Sequence, residues 1–463
     1  MPTNSKGYYL SALLMLVIVF ISSQSKAQES GSHAENLRED FLHHNLPWQQ
    51  LLESAQKEQQ VNFYYWGGSI PINLWIDQNV TNDLKALGIK LNARRLSTTK
   101  EAIDLIVAEM AAGRSYGQGS IDLLWVNGEN FYTLKKQNAL WGPFADKLPN
   151  SKNYDWLSDS ITAHLNLYDF GTATNMQELP WSGEQFICAA DRQYLPESKT
   201  PHTFAELKEY LINSPGKFTY VKPPHYLGNT FVQSVIYAKN PTGTGAIPFQ
   251  KPITSYTPKQ FADLIKPAFT YLQEIEPFLL QASKGNPHYP GTEAALDQLF
   301  QNGEVHINCK FGIYAVHNGF ITGQYPEKAR IFVFPKGLMI KNKSYLVIPK
   351  TAPHPASALV AANYFASIAA QSKMVAKAAM PNGIDLAMLN TNEREILQQA
   401  APPLHGLTHE QLSENAAPDM NASLVNIIKT VWLEKIEKKS SETIESVVEK
   451  YYKSNNINTI TNK

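Results

Sequence analysis

Apolar residues in the first third of the chain switch between two periods. Val61-Asn62-Phe63-Tyr64-Tyr65-Trp66 is an aromatic and β-branched run, read as a strand that breaks at Gly67-Gly68-Ser69. Ile72, Ile76, Val80, Leu84 and Leu87 then recur at near-helical spacing until Gly88. Ile89–Ala93 reads as a second strand, and Ile103, Ile106, Val107 and Met110 mark one helical face that ends at Gly113. Thr98 and Glu101 form a candidate capping box ahead of that helix. Ile121–Val126 is a short apolar run suited to a strand buried on both faces, stopping at Asn127-Gly128 with a helix from Glu129-Asn130. The sum is a βαβαβ unit with right-handed crossovers. Two of its strands end in similar Gly-containing turns, which should share one edge of a parallel sheet, where ligands are usually read.

A helix is expected around Phe41–Glu58, ahead of the first strand. Beyond the Pro- and aromatic-rich 141–176 region, Leu179–Asp191 reads as a long strand leaving the first unit. A second set of elements follows. Phe218–Val221 is its predicted strand, ending in Lys222–Thr230, and Thr257-Pro258 opens a helix with Phe261, Leu264, Ile265, Ala268, Leu272 and Ile275 inward. Further strands are expected at Val305–Cys309, Ala329–Pro335 and Ser344–Pro349, then an alanine-rich helix over Ala356–Ala370. From Leu386 onward the pattern is helical, with Leu424, Ile427, Ile428, Val431 and Trp432 as an apolar face and a polar tail after Tyr452.

At 463 residues the chain is long enough for two domains. Its 41 basic and 41 acidic residues carry no basic stripe, so no nucleic-acid partner is expected. Lys6, the apolar run Tyr8–Ile21 and Ser25-Lys26-Ala27 read as a cleavable export signal over residues 1–27, with an uncleaved anchor as the alternative. No Cys follows Ala27, which argues against a lipid anchor. Cys188 and Cys309 are the two cysteines, free to form one bridge in an export compartment or to remain buried thiols.

Catalytic and metal motifs are thin. Ser97-Thr98-Thr99-Lys100 fits a Ser-x-x-Lys nucleophile pattern, but its companion elements occur in the wrong order and a helix cap explains it. Glu129 and Glu184 offer no spacing that marks a glycosidase pair. His225, Tyr226, His306, Tyr314 and His317 lack tight metal-ligand spacing, so neither a metal nor a cofactor is expected.

Tyr65-Trp66-Gly67-Gly68, Asp122–Phe131, Pro180–Asp191, Thr203–Leu207, Asn302–Val305 and Ser344–Pro349, in this order behind an export signal, resemble the extracellular solute-binding proteins of bacterial ABC importers, most closely the YnjB-like subgroup. The resemblance implies an α/β fold of two lobes with a ligand cleft between them. It places one lobe at 28–185 plus about 346–400 and the other at about 186–345 plus 401–463. It implies ligand contacts from Trp66, Gly67, Gly68 and Ser69; from Asn127, Gly128, Glu129 and Asn130; from Trp181; from His225, Tyr226, Gly228 and Asn229; and from Asn308 and Tyr314, with Phe311 beside them. A second-lobe tyrosine pair found in many ferric-ion binders is missing, and Cys309-Lys310 stands where many relatives have a small turn.

The expected function is then periplasmic: a monomer that captures a small solute and delivers it to an inner-membrane permease, without catalysis. Trp66, Trp181, Tyr226 and Tyr314 would fence in a cationic or heteroaromatic solute whose positive group pairs with Glu129. For an anion, the N–H groups after Gly67-Gly68 and at Gly128 would serve instead. The competing expectations are a secreted hydrolase using a carboxylate or Ser97, and a structural envelope protein.

Overall fold

The computed structural model describes residues 31–44, 46–334 and 337–459. The export-signal reading over 1–27 lies outside them. The strands are β1 (Gln60–Trp66), β2 (Lys90–Leu96), β3 (Leu123–Val126), the short pair β4 (Tyr168–Asp169) and β5 (Thr172–Ala173), β6 (Glu178–Asp191), β7 (Ile307–Phe311), β8 (Ala329–Phe332), β9 (Met339–Val347) and β10 (Ala416–Ala417). Apart from the β4–β5 hairpin they form one sheet, ordered β2-β1-β3-β9-β6-β7, with β8 beside β6 and β10 beside β9.

The opening βαβαβ unit forms as the pattern predicts. β1 lies parallel to both β2 and β3, and all four residues of β3 are buried. The helix after β1 runs Ile70–Trp75, then a π turn over Ile76–Val80, then Thr81–Ala86. Its buried residues Ile72, Ile76, Val80 and Leu84 repeat every fourth position. On a regular α-helix that spacing drifts by about 40° per step, and the wider π turn takes up part of the drift. Gly88, at φ +83°, ends the element.

Several predicted elements differ, among them the alanine-rich helix, which ends at Phe365 before a second helix over Ile368–Ala378, and the strand expected at Val305–Cys309, which runs Ile307–Phe311. The helix expected over 41–58 is broken: helical backbone at 31–43 stops, and a new helix, Trp48–Glu58, begins after Pro47. Proline lacks the N–H and clashes with the preceding turn, so one helix could not pass through it. Phe218–Val221 is buried and extended but joins no ladder. Its neighbours are loops: Leu280 N–H donates to the Phe218 carbonyl and Lys222 N–H to that of Pro290. β9 starts at Met339, five residues before the predicted Ser344. Thr98 does not cap its helix through its side chain; its N–H donates to Glu101 (3.1 Å) and Thr99 occupies the cap position.

β6 and β9 run antiparallel through the middle of the molecule. At their centre Ser182, Gly183, Glu184 and Gln185 lie opposite Ser344, Lys343, Asn342 and Lys341. The apolar core is interrupted there. One cluster draws on residues 186–340 and 412–452, and the others on 37–181 with 346–397 and on 64–140 with Tyr345 and Val347. Cys188 faces Cys309 across β6 and β7, and the two form a disulfide.

Candidate functional site

The turns that close β1 and β3 meet β6 around Pro180–Ser182. Val126 lies beside Tyr345, which pairs with Pro180, and the Trp66 indole meets Trp125 edge-on at 6.1 Å. On the far side of the polar belt, β7 ends at Phe311, opposite Phe186, and Tyr226 stacks on Phe311 at 6.2 Å. The two sets of turns therefore flank one stretch of β6 six residues long, about 20 Å at strand rise.

Most of the first-lobe candidates are occupied by the chain itself. Gly67 N–H donates to the Leu96 carbonyl (2.9 Å), and its carbonyl accepts from Asn73 Nδ2 (2.8 Å). Gly68 lies against the Trp66 ring, where an added Cβ would fall 2.1 Å from Cζ2. Ser69 Oγ accepts from Ile72 N–H (3.5 Å) at the helix start. Gly128, at φ +55°, gives its N–H to the buried Asp169 carboxylate (2.5 Å), so the amide offered above to an anion is taken. Glu129, assigned above to a positive group of the solute, pairs with Lys429 Nζ at 2.8 Å. Trp181 has no exposed surface; it sits between Trp75 (6.1 Å, stacked) and Trp125 (4.9 Å, edge-on) as core. Trp66, Asn127 and Asn130 keep partly open side chains.

Beyond the polar belt, His225 starts the Tyr226–Lys239 helix with Nδ1 accepting from Leu227 N–H (3.3 Å), which places its ring proton on Nε2. The ring stacks on Tyr226 at 4.5 Å, and burial holds its pKa below the usual value. Tyr226 leaves 46% of its surface open, yet surrounding protein pushes its hydroxyl well above the ordinary tyrosine range. Its ring, with those of His225 and Phe311, forms a partly open wall beside β6. Gly228 serves packing, since a Cβ there would meet the Val221 carbonyl oxygen at 2.1 Å. Asn229 Nδ2 donates to the Pro224 carbonyl (3.0 Å). Asn308 is buried behind the wall, donating to Asp297 (2.8 Å) and Tyr325 (2.9 Å). Tyr314 is nearly buried, its hydroxyl pushed up to about 12 by burial and by Glu184, and its ring meets His409 edge-on at 6.5 Å.

The charged groups of this wall escaped the sequence reading as site residues. Tyr226 donates its hydroxyl proton to Glu293 (2.7 Å), and Lys310 bridges Glu293 (2.5 Å) and Asp297 (2.9 Å). Burial alone would raise Glu293, but Lys310 and the Tyr226 hydroxyl outweigh it and hold the carboxyl below its usual value. Glu184 accepts Ile313 N–H (3.3 Å); burial pushes it up to about 8, and the Ile313 and Gln185 amides only partly offset that. Lys341, half-buried, is pushed down to about 8 by burial and by Lys343. Only the alternation of side chains through a polar strand could have signalled Glu184 and Lys341.

Ser97 hydrogen-bonds Glu101 and Lys100 pairs with Asp104, so the two residues do not serve each other. Among the described residues no three His, Cys, Asp or Glu side chains are grouped to hold a metal ion, and no helix is long and apolar enough to cross a membrane.

Residues 81–384 match the family described as bacterial extracellular solute-binding protein. Over 393 residues the chain is 32% identical to Protein YnjB of Escherichia coli (strain K12), covering 84% of this chain and 94% of that one. An ABC transporter structure from Clostridium perfringens superposes with a TM-score of 0.56 at 12% identity, over 82% of this chain and 99% of that one. The spermidine/putrescine ABC transporter substrate-binding protein PotD from Streptococcus pneumoniae superposes with a TM-score of 0.54 at 12% identity, over 81% and 99%.

Proposed function

Because this chain belongs to the bacterial extracellular solute-binding proteins, we propose that its solute is held where β6 and β9 cross, between the turns at Trp66 and Asn127 and the wall of His225, Tyr226 and Phe311. Membership makes it the solute-capturing part of an ABC transporter, with a small molecule as cargo, a membrane permease as partner and no catalytic step. Proteins of this family are exported, and the fold is the two-lobed one of the solved relatives. The lobes we assign are 28–185 plus about 346–400 and about 186–345 plus 401–463, with residues 1–27 as the export signal and the periplasm as destination. Separate apolar clusters on the two sides of the polar belt support that division. Both walls come from one chain, which supports a monomer.

The observation that carries the site is Tyr226, nearly half open and stacked on Phe311 at 6.2 Å beside β6. The solute we propose is a heteroaromatic or cationic compound. Trp66 and Tyr226 supply the rings, and a desolvated cation over such faces gains up to ~2 kcal/mol. With Glu129 committed to Lys429, the carboxyl left is Glu184, which burial pushes up to about 8 and which a positive solute group would ionise. PotD shares 12% identity, which carries its fold and not its ligand.

A thermal-shift screen of vitamins, amines, sugars and oxyanions on the mature chain tests the proposal. A ligand at about 100 times its Kd should add about 2.7 kcal/mol. Trp66→Ala with Tyr226→Ala should abolish that gain in a protein that still folds. A ligand that binds the double variant as tightly as the parent would place the site elsewhere.

A further inference from the structure

The three lysines around the crossing differ in what they touch. Lys310 lies within 2.9 Å of both Glu293 and Asp297. Lys343 is fully buried and satisfied, with Asp385 at 2.7 Å, Asn166 Oδ1 at 2.7 Å and the Gly383 carbonyl at 2.8 Å. Lys341, two residues before it on β9, has no carboxylate within ion-pair distance and no hydrogen-bond partner among the described residues.

Its surroundings cannot neutralise it. Gln185, opposite on β6, spends its amide on the Leu412 carbonyl (2.7 Å). Lys343 repels it, and Asp385, which could offset this, is already matched to Lys343. His409, exposed at the start of its helix, is held below its usual pKa by burial and by Lys341 itself. Tyr314 faces His409, and Glu184 beyond it is kept protonated by burial. A partly desolvated ammonium beside a like charge gains from an anion that joins it. Tyr314 follows Gly312, whose N–H donates to the Gln185 carbonyl (3.2 Å), and His409 opens the helix whose Leu412 carbonyl holds Gln185, so both lie around the strand position opposite Lys341 with side chains that can donate.

We infer that Lys341, with His409 and Tyr314, forms an anion-recognising corner of the crevice, so that the solute carries a carboxylate or phosphate group in addition to the ring held by Trp66 and Tyr226. The inference rests on the crevice at the crossing being the solute site. It adds to that reading a polarity for the solute: ring toward the Trp66 side, anion toward β9.

Pyridoxal 5′-phosphate, an anionic heteroaromatic aldehyde, is a direct probe. With the phosphate ester held by the His409 and Tyr314 donors, the unprotonated fraction of the Lys341 amine adds to the aldehyde carbon, water leaves, and borohydride reduces the resulting imine to a stable secondary amine that peptide mass spectrometry locates. Lys341 should be labelled at least ~10-fold faster than by pyridoxal, which lacks the phosphate, and millimolar orthophosphate should protect it. A Lys341→Arg chain should retain stabilisation by the phosphate ester, and Lys341→Met should lose it. Equal rates with the two aldehydes, or labelling spread evenly over surface lysines, would overturn the anion corner. The Trp66→Ala, Tyr226→Ala chain separates the two proposals. Undiminished, phosphate-selective labelling in it leaves the corner standing and removes the shared crevice. Loss of phosphate selectivity in the parent, with screened ligands still dependent on Trp66 and Tyr226, does the reverse.

Discussion

Asp419→Asn should flatten the pH dependence of stability. Asp419 is buried between β10 and the Ala422–Trp432 helix, with Gln233 Nε2 3.4 Å from one oxygen and no partner for the other. Burial raises its carboxyl from 3.8 to about 7. Burial and Asp419 also raise the buried Asp169, and burial and Asp169 raise Glu178, whose two oxygens have no hydrogen-bond partner. A carboxyl whose folded pKa lies above its unfolded value binds its proton more tightly when folded. Its contribution is therefore fully present below about pH 4 and lost as pH rises through about 7. Three pH units correspond to ~4 kcal/mol. The amide of Asn cannot ionise, and it sets a donor at the oxygen that lacks a partner. Urea denaturation of parent and variant at pH 4, 5.5, 7 and 8 measures the difference directly. Contributions shared by both chains, such as Glu58 and Glu184, cancel. The variant should gain on the parent by at least ~2 kcal/mol between pH 4 and pH 8, and parallel profiles would refute a buried, proton-holding Asp419.

Asp385→Ala leaves Lys343 as an uncompensated buried charge and should cost ~3–5 kcal/mol, most of it recovered in a Lys343→Met, Asp385→Leu pair, as read by denaturant midpoints. Reduction of Cys188–Cys309, or its replacement by serines, releases a loop of sequence separation 121, worth ~5 kcal/mol on the chain-entropy account. A melting temperature unaffected by dithiothreitol would contradict that value. Gly228→Ala places a methyl 2.1 Å from the Val221 carbonyl oxygen and should destabilise by ~1–3 kcal/mol, since the obstacle is backbone on both sides.

The legible parts of this sequence are those where neighbours in the chain decide the outcome. β3 is four apolar residues bounded by Asp122 and Asn127, and Gly88 ends a helix whose buried face is spelled out residue by residue. Pro47 was equally visible, and the break it imposes needs only local chemistry. What the pattern concealed depends on distant partners. Lys341-Asn342-Lys343 fell outside the strand expected from Ser344, because the Lys343 side chain is matched only when Asp385 and Asn166 are brought beside it. Phe218–Val221 has the composition of a strand, but pairing makes a strand, and no regular edge lies next to it. The turns at Trp66, Asn127 and His225 were found as strand and helix boundaries. Their chemistry was not, because the Glu129 partner lies 300 residues away and the Gly128 partner 41.

The polar belt explains why so few of the expected contact residues are free. Apolar packing ends at Trp181 and Phe186 on β6 and at Tyr345 and Ile340 on β9. Between them lie eight residues without an apolar side chain, on two paired strands. Had these positions been apolar, the clusters on either side would merge, and any relative movement would expose surface at ~25 cal/mol per Å². Hydrogen bonds behave differently: each is directional, contributes ~1 kcal/mol net, and can be exchanged with water as strands bend. A joint built from them fixes the two halves in register without welding them. That same economy places ionisable groups in the middle of the molecule, where each must be matched by the chain or by what it carries. Lys343 is matched by Asp385 and Lys310 by Glu293 and Asp297, which leaves Glu184 and Lys341 as the groups whose charge a captured solute can still alter.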